Sequence, residues 1–317
     1  MAVSDLIQQA RTRFGQAPSM LLRADQPTGE KPWDMFVTDE HTEHYLALKA
    51  GGDTDRGMAT GILGGIGFFG LILAMYMVIQ GEWEGVANFL VISLPLIIAP
   101  FLWETRRPLP LPILFNRRTR EVYFDHNGEL YHSPWDGIAA AAYTFGTVGP
   151  YTAGMRHASL EALLHRYGHP PEQVLINLGS PISKSLEMQL GFWEYLRTYM
   201  DKGPWFDEQG NHSESDTFIQ SLLASRQRKG QWTRLQWRQI VKDYKTNKGR
   251  NFLSYSDFML LLGGVLFAPI NALQNFTYAI AKRRARSQWP TRVKERLRPD
   301  GPSSRLIDLE RAAGQDG

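Results

Sequence analysis

The chain has 317 residues, of which 43% are hydrophobic and 21% charged, with no cysteine and a formal net charge of +3 at pH 7. This length allows a sizeable core and excludes a mini-protein, and the lack of cysteine excludes disulfides, thiolate catalysis and cysteine-bound zinc. The mean hydropathy of −0.31 is typical of a soluble globular protein. That average hides a concentration of the apolar residues in a few segments.

Residues 1–56 form a predicted N-terminal cytoplasmic arm. Ser4 and Asp5 can cap a short amphipathic helix, whose apolar residues recur near the helical period at Leu6, Ile7, Ala10 and Phe14. After an irregular stretch rich in proline and glycine, Asp39–Ala50 is predicted to form a second short helix that leads towards the membrane.

Residues 57–104 predict a transmembrane helical hairpin. Met58–Gln80 has 23 residues without a charge, about 34 Å as a helix, and a second uncharged stretch covers Gly85–Trp103. The alternative is a buried helical hairpin in a soluble core. Such helices rarely run this long without a charge, so we favour a transmembrane pair. Pro95 and Pro100 are expected to kink the second helix or to end it early.

Glycines in the first apolar stretch indicate close helix packing. Gly61 and Gly65 are spaced as in the small-xxx-small pattern that lets another helix approach in lipid. We therefore predict that both are transmembrane packing residues, and self-association into a homo-oligomer stays open.

The charges around the hairpin predict its orientation. Lys49 and Arg56 precede it, five arginines follow within residues 106–120, and the connecting Gly81–Gly85 has two glutamates and no lysine or arginine. Because basic flanks stay in the cytoplasm, we expect a multi-pass protein of a bacterial inner membrane with both termini cytoplasmic. The first span starts near residue 58 after a segment of mixed charge, which favours an anchor over a cleavable signal peptide.

Residues 105–203 predict a small antiparallel β-barrel-like domain closed by a helix, so the fold class is membrane α+β. Six candidate strands are Ile113–Asn116, Glu121–Asp125, Glu129–His132, Trp135–Thr144, Ala158–Tyr167 and Val174–Leu178. Asn127-Gly128 is a strong hairpin signal. Ser180-Pro181 begins a predicted amphipathic helix that continues to Met200.

Several motifs in and after this domain are distinctive. They are Phe115-Asn116-Arg117-Arg118, Glu121-Val122-Tyr123, Gly128, Trp135-Asp136, Trp205, the segment 252–280 and Ser287-Gln288-Trp289-Pro290. Together they resemble an uncharacterised family of bacterial inner-membrane proteins, often encoded beside type VI secretion spike and effector genes. The order of strands and helix is similar to that of a pleckstrin-homology-like (PH-like) barrel. The resemblance covers residues 106–298 and implies a place in interbacterial toxin delivery or immunity, without catalytic residues.

The remaining chain is predicted to contain a polar and basic helical region (204–251), an apolar interfacial or re-entrant helix (252–281) and a basic, then acidic, tail (282–317). Residues 226–298 hold 17 Lys and Arg against three Asp and Glu, whereas residues 1–225 hold 16 against 25. The apolar stretch Phe258–Ile270 has 13 residues and basic clusters on both sides. We therefore favour an interfacial, re-entrant or buried helix over a third span.

Basic residues next to aromatic ones indicate a surface for the anionic lipids of the inner leaflet. A protein-binding face and a nucleic-acid-binding face have the same composition, but membrane anchorage favours lipid over nucleic acid. The predicted membrane- or partner-binding residues are Arg117, Arg118, Arg120, Trp232, Arg234, Trp237, Arg238, Lys282, Arg283, Arg284 and Arg286.

Few residues have spacings typical of metal binding or catalysis. His41 and His44 are spaced like metal ligands, but no third ligand is identifiable. His165 and His169 are spaced similarly, but Gly168 and Pro170-Pro171 place them at a strand end and turn, and we interpret both pairs as surface histidines. Four residues of the predicted hairpins could form an acid–base group: Asp125, His126, His132 and Asp136. No nucleophile elbow, phosphate loop or paired-carboxylate motif accompanies them. We predict no catalytic, cofactor-binding or metal-binding residues, and a protein that is not an enzyme.

Three functions fit these observations. The first is an immunity protein that neutralises a co-encoded toxin. The second is a membrane-anchored accessory or adaptor protein that holds an effector for delivery, and the third is a lipid-sensing PH-like module. The expected partners are a protein (a toxin, an effector or a secretion component) and anionic membrane lipids.

Overall fold

A computed structural model of the protein describes residues 3–49, 56–107, 109–147, 155–179, 185–223, 238, 241–242, 268–286 and 288–315. They belong to two compact units. We call the first the sheet unit, formed by segments 1–51, 110–222 and 288–317. We call the second the helical unit, formed by segments 52–109 and 223–287.

The sheet unit is built on an antiparallel sheet that curls into a half-barrel. Its strands are β1 (Met20–Arg23), β2 (Thr38–His41), β3 (Tyr45–Leu48), β4 (Ile113–Asn116), β5 (Glu121–His126), β6 (Glu129–Pro134), β7 (Ala139–Thr147), β8 (Met155–Arg166) and β9 (His169–Asn177). Neighbouring strands follow the order β1-β7-β8-β6-β5-β4-β3-β2, and β9 pairs with the free side of β8.

The six strands predicted in residues 105–203 are confirmed as β4–β9. Asn127 and Gly128 form the turn between β5 and β6, with φ of 56° and 86°, the left-handed values that a tight hairpin requires. The helix predicted over Asp39–Ala50 is wrong. This segment supplies β2 and β3 instead, and Leu46 and Leu48 of β3 are fully buried where they pair with β4. Pairing with a neighbouring strand outweighs the local helical pattern.

Two helices pack on the sheet, one at the N-terminus and one after the last strand. Helix α1 (Val3–Phe14) places Leu6 and Ala10 in a core cluster with Tyr143 and Leu163. Helix α4 (Leu186–Asp201) buries Trp193, whose ring lies 5.4 Å from that of Trp135. The predicted helix start at Ser180-Pro181 lies outside the described residues. As described, α4 begins at Leu186, and Ser185 is its N-cap, whose Oγ accepts a hydrogen bond from the Met188 N–H at 3.2 Å.

The C-terminal segment, predicted as a tail, packs onto the same sheet. It contains α6 (Thr291–Arg296) and α7 (Leu306–Gln315). Asn116 Nδ2 donates to the Arg296 carbonyl oxygen at 2.9 Å, and the Ile307 N–H donates to Glu121 Oε1 at 3.1 Å. Leu306 is fully buried, so the last helix is part of the core.

The helical unit contains α2 (Met58–Gln80), α3 (Trp83–Arg106) and α5 (Ala268–Arg286). The first two coincide with the predicted spans and are long and apolar enough to cross a membrane. Helix α3 continues through Pro95 and Pro100, so the expectation of an early end is wrong. Gly81 ends α2 in a left-handed conformation, with φ of 79°. Most of the predicted apolar stretch, residues 258–267, lies outside the described residues.

Candidate functional site

The surface of α2 and α3 is strongly apolar. Among the fully described residues of these two helices, nineteen large hydrophobic side chains are exposed, including Ile79 at 76%, Val91 at 72% and Trp83 at 70%. Of the 18 most apolar consecutive residues, only 17% are buried in α2 and only 11% in α3. A core helix of a soluble protein would instead be mostly buried, because exposed apolar side chains are costly in water.

The interior of the hairpin is made of small residues. A Cβ added at Gly67 would lie 2.7 Å from both the Ser93 carbonyl oxygen and Ile97 Cγ1, and one at Gly70 would collide with Ser93 Oγ. Glycine at these positions therefore permits the close approach of α2 and α3.

The predicted packing residues Gly61 and Gly65 lie against α5. A Cβ at Gly61 would lie 3.2 Å from the Ile270 carbonyl oxygen, and one at Gly65 would lie 2.6 Å from Ile270 Cγ1. The helix that approaches the small-residue face in this structure thus belongs to the same chain.

Glu104, at the end of α3, caps the start of α2. Its carboxylate accepts hydrogen bonds from the N–H groups of Gly57 at 3.0 Å and Thr60 at 2.8 Å, and also from the Thr60 hydroxyl. The Arg56 guanidinium donates to the Glu104 carbonyl oxygen at 3.0 Å. These bonds satisfy N–H groups that a helix start leaves unpaired and bring the two helix ends together.

Positive charge collects at this end of the hairpin. Arg106 and Arg107 are exposed, and the Arg107 guanidinium lies 5.7 Å from the centre of the Trp103 ring. Arg284 of α5 donates to the Thr105 carbonyl oxygen at 2.9 Å, which places the basic end of α5 beside them. The opposite end carries Glu82 and Glu84. We call the exposed Arg106, Arg107 and Arg283 the basic collar.

The predicted binding arginines of the β-rich domain are engaged within the sheet unit. Arg118 donates to the carbonyl oxygens of Arg298 and Gly301. Arg120 forms ion pairs with Asp136 at 2.7 Å and Asp201 at 2.9 Å. Burial lowers the pKa of Arg120, but its hydrogen bonds and ion pairs with the two aspartates outweigh that effect and raise it.

The other predicted binding residues are placed only in part. Arg117 is half-buried in the sheet unit, and Arg238 is an exposed helical residue. Lys282 of α5 lies over the Tyr278 ring, 5.9 Å from its centre. Trp232, Arg234, Trp237 and the side chain of Arg286 lie outside the described residues.

A buried polar cluster lies in the sheet unit, which we call the histidine cluster: His132 of β6, His165 of β8, Glu310 of α7 and Glu121 of β5. His132 and His165 are direct partners in the β6–β8 pairing. Glu310 Oε2 lies 3.2 Å from His132 Nε2 and 3.0 Å from His165 Nε2. Glu121 Oε1 lies 3.6 Å from His132 Nδ1. Three sheet strands and the last helix thus converge on one point.

Both carboxylates of the cluster favour the ionised form. Burial raises the pKa of Glu121, but the interactions with His132 and the backbone N–H of Ile307 outweigh it and hold the pKa below its usual value. The pKa of Glu310 is lowered in the same way, against burial, by the Gly168 N–H and the two histidines. Burial lowers the pKa of His165.

The histidine predictions have mixed outcomes. His165 and His169 lie on opposite sides of the β8–β9 turn, as predicted, and His169 is exposed. The surface position predicted for His165 is wrong, because it is only 5% exposed. Asp136 pairs with Arg120 and Arg305, away from the acid–base group that the sequence suggested.

His41 is half-buried and not fully exposed as predicted. Its Nδ1 lies 2.8 Å from the Tyr195 hydroxyl and its Nε2 lies 2.6 Å from the Pro204 carbonyl oxygen. The ring stacks on Trp205 at 5.4 Å. Burial lowers the pKa of His41 to about 4, although the hydrogen bond to Pro204 opposes this. His41 is therefore a half-buried residue of the sheet unit that is neutral at pH 7.

Sequence reasoning missed the histidine cluster. His132 and His165 are far apart in the chain and meet only through the β6–β8 pairing. Glu310 lies on a helix in a segment predicted as a tail. A prediction of which strands pair would have been needed to find it.

Comparison of the chain with protein-family models, with curated proteins and with solved structures finds no match. What the chain does must therefore be inferred from the geometry of its two units and from its sequence motifs.

Proposed function

We propose that the chain is a non-enzymatic, membrane-anchored interaction protein whose α2–α3 hairpin crosses a bilayer twice. The observation that carries this proposal is the nineteen large hydrophobic side chains exposed on the two fully described helices. Burial of one such side chain is worth about 1.5–3 kcal/mol, so a surface of this size favours lipid over water.

The charge distribution supports one orientation. The basic collar and Arg56 lie at the end where the chain enters and leaves the hairpin, whereas Glu82 and Glu84 lie at the other end. By the positive-inside rule the basic end faces the cytoplasm, here of a bacterial inner membrane, and the chain on both sides of the hairpin follows it. Only Gly81 and Glu82 separate the two helices on the far side.

In its most specific form, the proposed role is immunity against a toxin encoded nearby. This step rests on the resemblance of residues 106–298 to inner-membrane proteins encoded beside type VI secretion genes. Because the far-side turn is so short, the toxin would be neutralised at the cytoplasmic face or within the membrane. The sheet unit would supply the cytoplasmic surface.

Co-expression with the neighbouring effector gene tests immunity. We expect cells that make the chain to survive induction of the toxin, and cells that make Gly67→Leu to die, because the added side chain would force α2 and α3 apart. Ala87→Leu is the matched control, since Ala87 is exposed, and it should still protect. If the unaltered chain gives no protection, the immunity role is wrong.

Deletion of the gene separates immunity from the alternative adaptor role. An immunity mutant is killed by its sibling cells. An adaptor mutant survives its siblings but no longer intoxicates rival cells. Competition against sibling and rival strains therefore distinguishes the two.

The basic collar favours binding of anionic lipid as a second function. Each basic side chain near an anionic leaflet contributes about 1 kcal/mol. Reversing Arg106 and Arg283 to glutamate should weaken association of the purified chain with vesicles that contain anionic lipid, and should remove its salt dependence. Binding that is unchanged and insensitive to salt would count against this function.

A further inference from the structure

His132 is buried without a hydrogen bond. The side chain is 0% exposed, and among the described residues neither ring nitrogen has a hydrogen-bond partner of adequate geometry. Yet Nε2 is only 3.2 Å from Glu310 Oε2, and Nδ1 is 3.6 Å from Glu121 Oε1. A buried polar group that lacks a hydrogen bond is costly, so its surroundings call for another kind of partner.

We propose that His132, His165 and Glu310 bind one divalent transition-metal ion of the Zn²⁺ class, through Nε2, Nε2 and Oε2. Each of these three residues offers a ligand atom within 4.8 Å of those of the other two. Tetrahedral zinc with bonds of about 2.0–2.1 Å places its ligand atoms about 3.3 Å apart. Glu310 Oε2 lies 3.2 Å and 3.0 Å from the two nitrogens, close to that separation.

The surrounding residues lie where a metal site places the groups that support its ligands. Glu121 lies against the Nδ1 side of His132 and is itself held by the Ile307 N–H at 3.1 Å and the Tyr123 hydroxyl at 2.8 Å. The other oxygen of Glu310, Oε1, accepts from the Gly168 N–H at 2.6 Å, which turns Oε2 towards the histidines. A carboxylate behind a ligating imidazole fixes the ring and its tautomer. Glu121 Oε1, 3.6 Å from Nδ1, is in the position to accept that hydrogen bond when the ion draws the ring into place.

The donor set selects the class of ion. Two imidazoles and one carboxylate suit Zn²⁺ and its neighbours in the first transition row, whereas Ca²⁺ and Mg²⁺ prefer oxygen ligands throughout. A water molecule completes the four-coordinate shell. The side chains of all three ligands are at most 7% exposed, so the ion is buried and its main effect falls on the stability of the fold. The ion joins β6, β8 and α7, and thereby fastens the last helix to the sheet.

Metal binding by the full-length chain in detergent tests the site. After removal of metal with a chelator, we expect one Co²⁺ or Zn²⁺ per chain, and Co²⁺ should give the visible absorption bands of a four-coordinate complex. His165→Gln and Glu310→Gln should lower the affinity more than about 100-fold, and Glu121→Gln about 10- to 100-fold. His169→Gln is the matched control, because His169 is exposed across the same turn, and it should bind like the unaltered chain.

A measurement on the unaltered chain covers the case in which a variant fails to fold. Zn²⁺ should raise the thermal midpoint and protect Arg311 of α7 from trypsin, and a chelator should reverse both effects. The proposal is overturned if Zn²⁺ changes neither the midpoint nor the cleavage. It is also overturned if folded Glu310→Gln binds Co²⁺ as tightly as the unaltered chain.

Discussion

Trp193 and Trp83 have opposite environments in the two units. In the sheet unit Trp193 is 0% exposed and packs on Trp135. The other large side chains of that core are also buried. In the helical unit Trp83 is 70% exposed, while the buried positions are occupied by small or polar residues such as Gly67 and Ser93.

This contrast is what the proposed membrane hairpin requires, with each unit suited to a different solvent. The sheet unit buries most of its large apolar side chains, as a fold in water does. The described helices of the helical unit expose such side chains and use small residues for close contact, as helices in lipid do. Lipid tails are as apolar as these side chains, so no hydrophobic effect drives them into the interior. One chain thus follows two packing rules.

Replacing the two tryptophans should reveal this contrast most strongly. We expect Trp193→Ala to destabilise the sheet unit by about 3–5 kcal/mol, because it leaves a cavity in a closed core. Trp83→Ala, at an exposed position, should change the unfolding free energy little. Thermal unfolding of both variants in detergent measures the difference, and equal losses would contradict the contrast.

A charged residue placed on the exposed apolar surface of α3 should reveal whether that surface faces lipid or water. Val91→Lys should impair membrane integration by about 3 kcal/mol, the cost of lysine near the centre of a spanning helix. Met20→Lys in β1 is the control: Met20 is 42% exposed in the sheet unit, and a surface change there costs within about 0.5 kcal/mol. Membrane fractionation of the two variants checks this, and a harmless Val91→Lys would place α3 in water.

Acid should destabilise the sheet unit more than the helical unit, because all eight histidines belong to segments of the sheet unit. Burial lowers the pKa of His41 to about 4 in the folded chain, against about 6.5 when unfolded. The unfolded state therefore binds more protons between these values, and the contribution of His41, at most about 3 kcal/mol, is lost as pH falls from 6.5 to 4.

The check is the thermal midpoint between pH 7 and pH 4.5. His41→Gln should reduce the acid-induced drop relative to the unaltered chain, whereas the exposed His169→Gln should leave it unchanged. The helicity of the helical unit should persist over the same range. An identical pH profile for His41→Gln and the unaltered chain would show that His41 is not buried as a neutral residue.

The smallest expected effect concerns a polar group that the helical unit does bury. Glu104→Ala removes the acceptor for the Gly57 and Thr60 N–H groups and should cost about 1–2 kcal/mol. Glu84→Ala, an exposed glutamate at the other end, is the control and should cost nothing measurable. Thermal unfolding in detergent compares them, and equal midpoints would mean that the cap contributes no stability.

Local signals in the sequence predicted much of the fold. The uncharged run Met58–Gln80 coincides with α2, and Asn127-Gly128 marks the β5–β6 turn. Both features depend only on residues that are adjacent in the chain, so they can be read from the sequence. The strand pair β2–β3 was missed, since its burial depends on β4, more than 60 residues further along the chain. Glu310 was missed for the same reason: only the fold brings α7 to the histidines.

The most direct test of the membrane hairpin uses the absence of cysteine from the chain. Two single-cysteine variants can be treated with a membrane-impermeant maleimide in spheroplasts. They are Glu84→Cys, beside the turn between α2 and α3, and Ser303→Cys, before α7. We predict that Glu84→Cys is labelled in intact spheroplasts and that Ser303→Cys is labelled only after lysis. Labelling of both only after lysis, or of Ser303→Cys in intact spheroplasts, would contradict a hairpin that crosses the membrane with both ends in the cytoplasm.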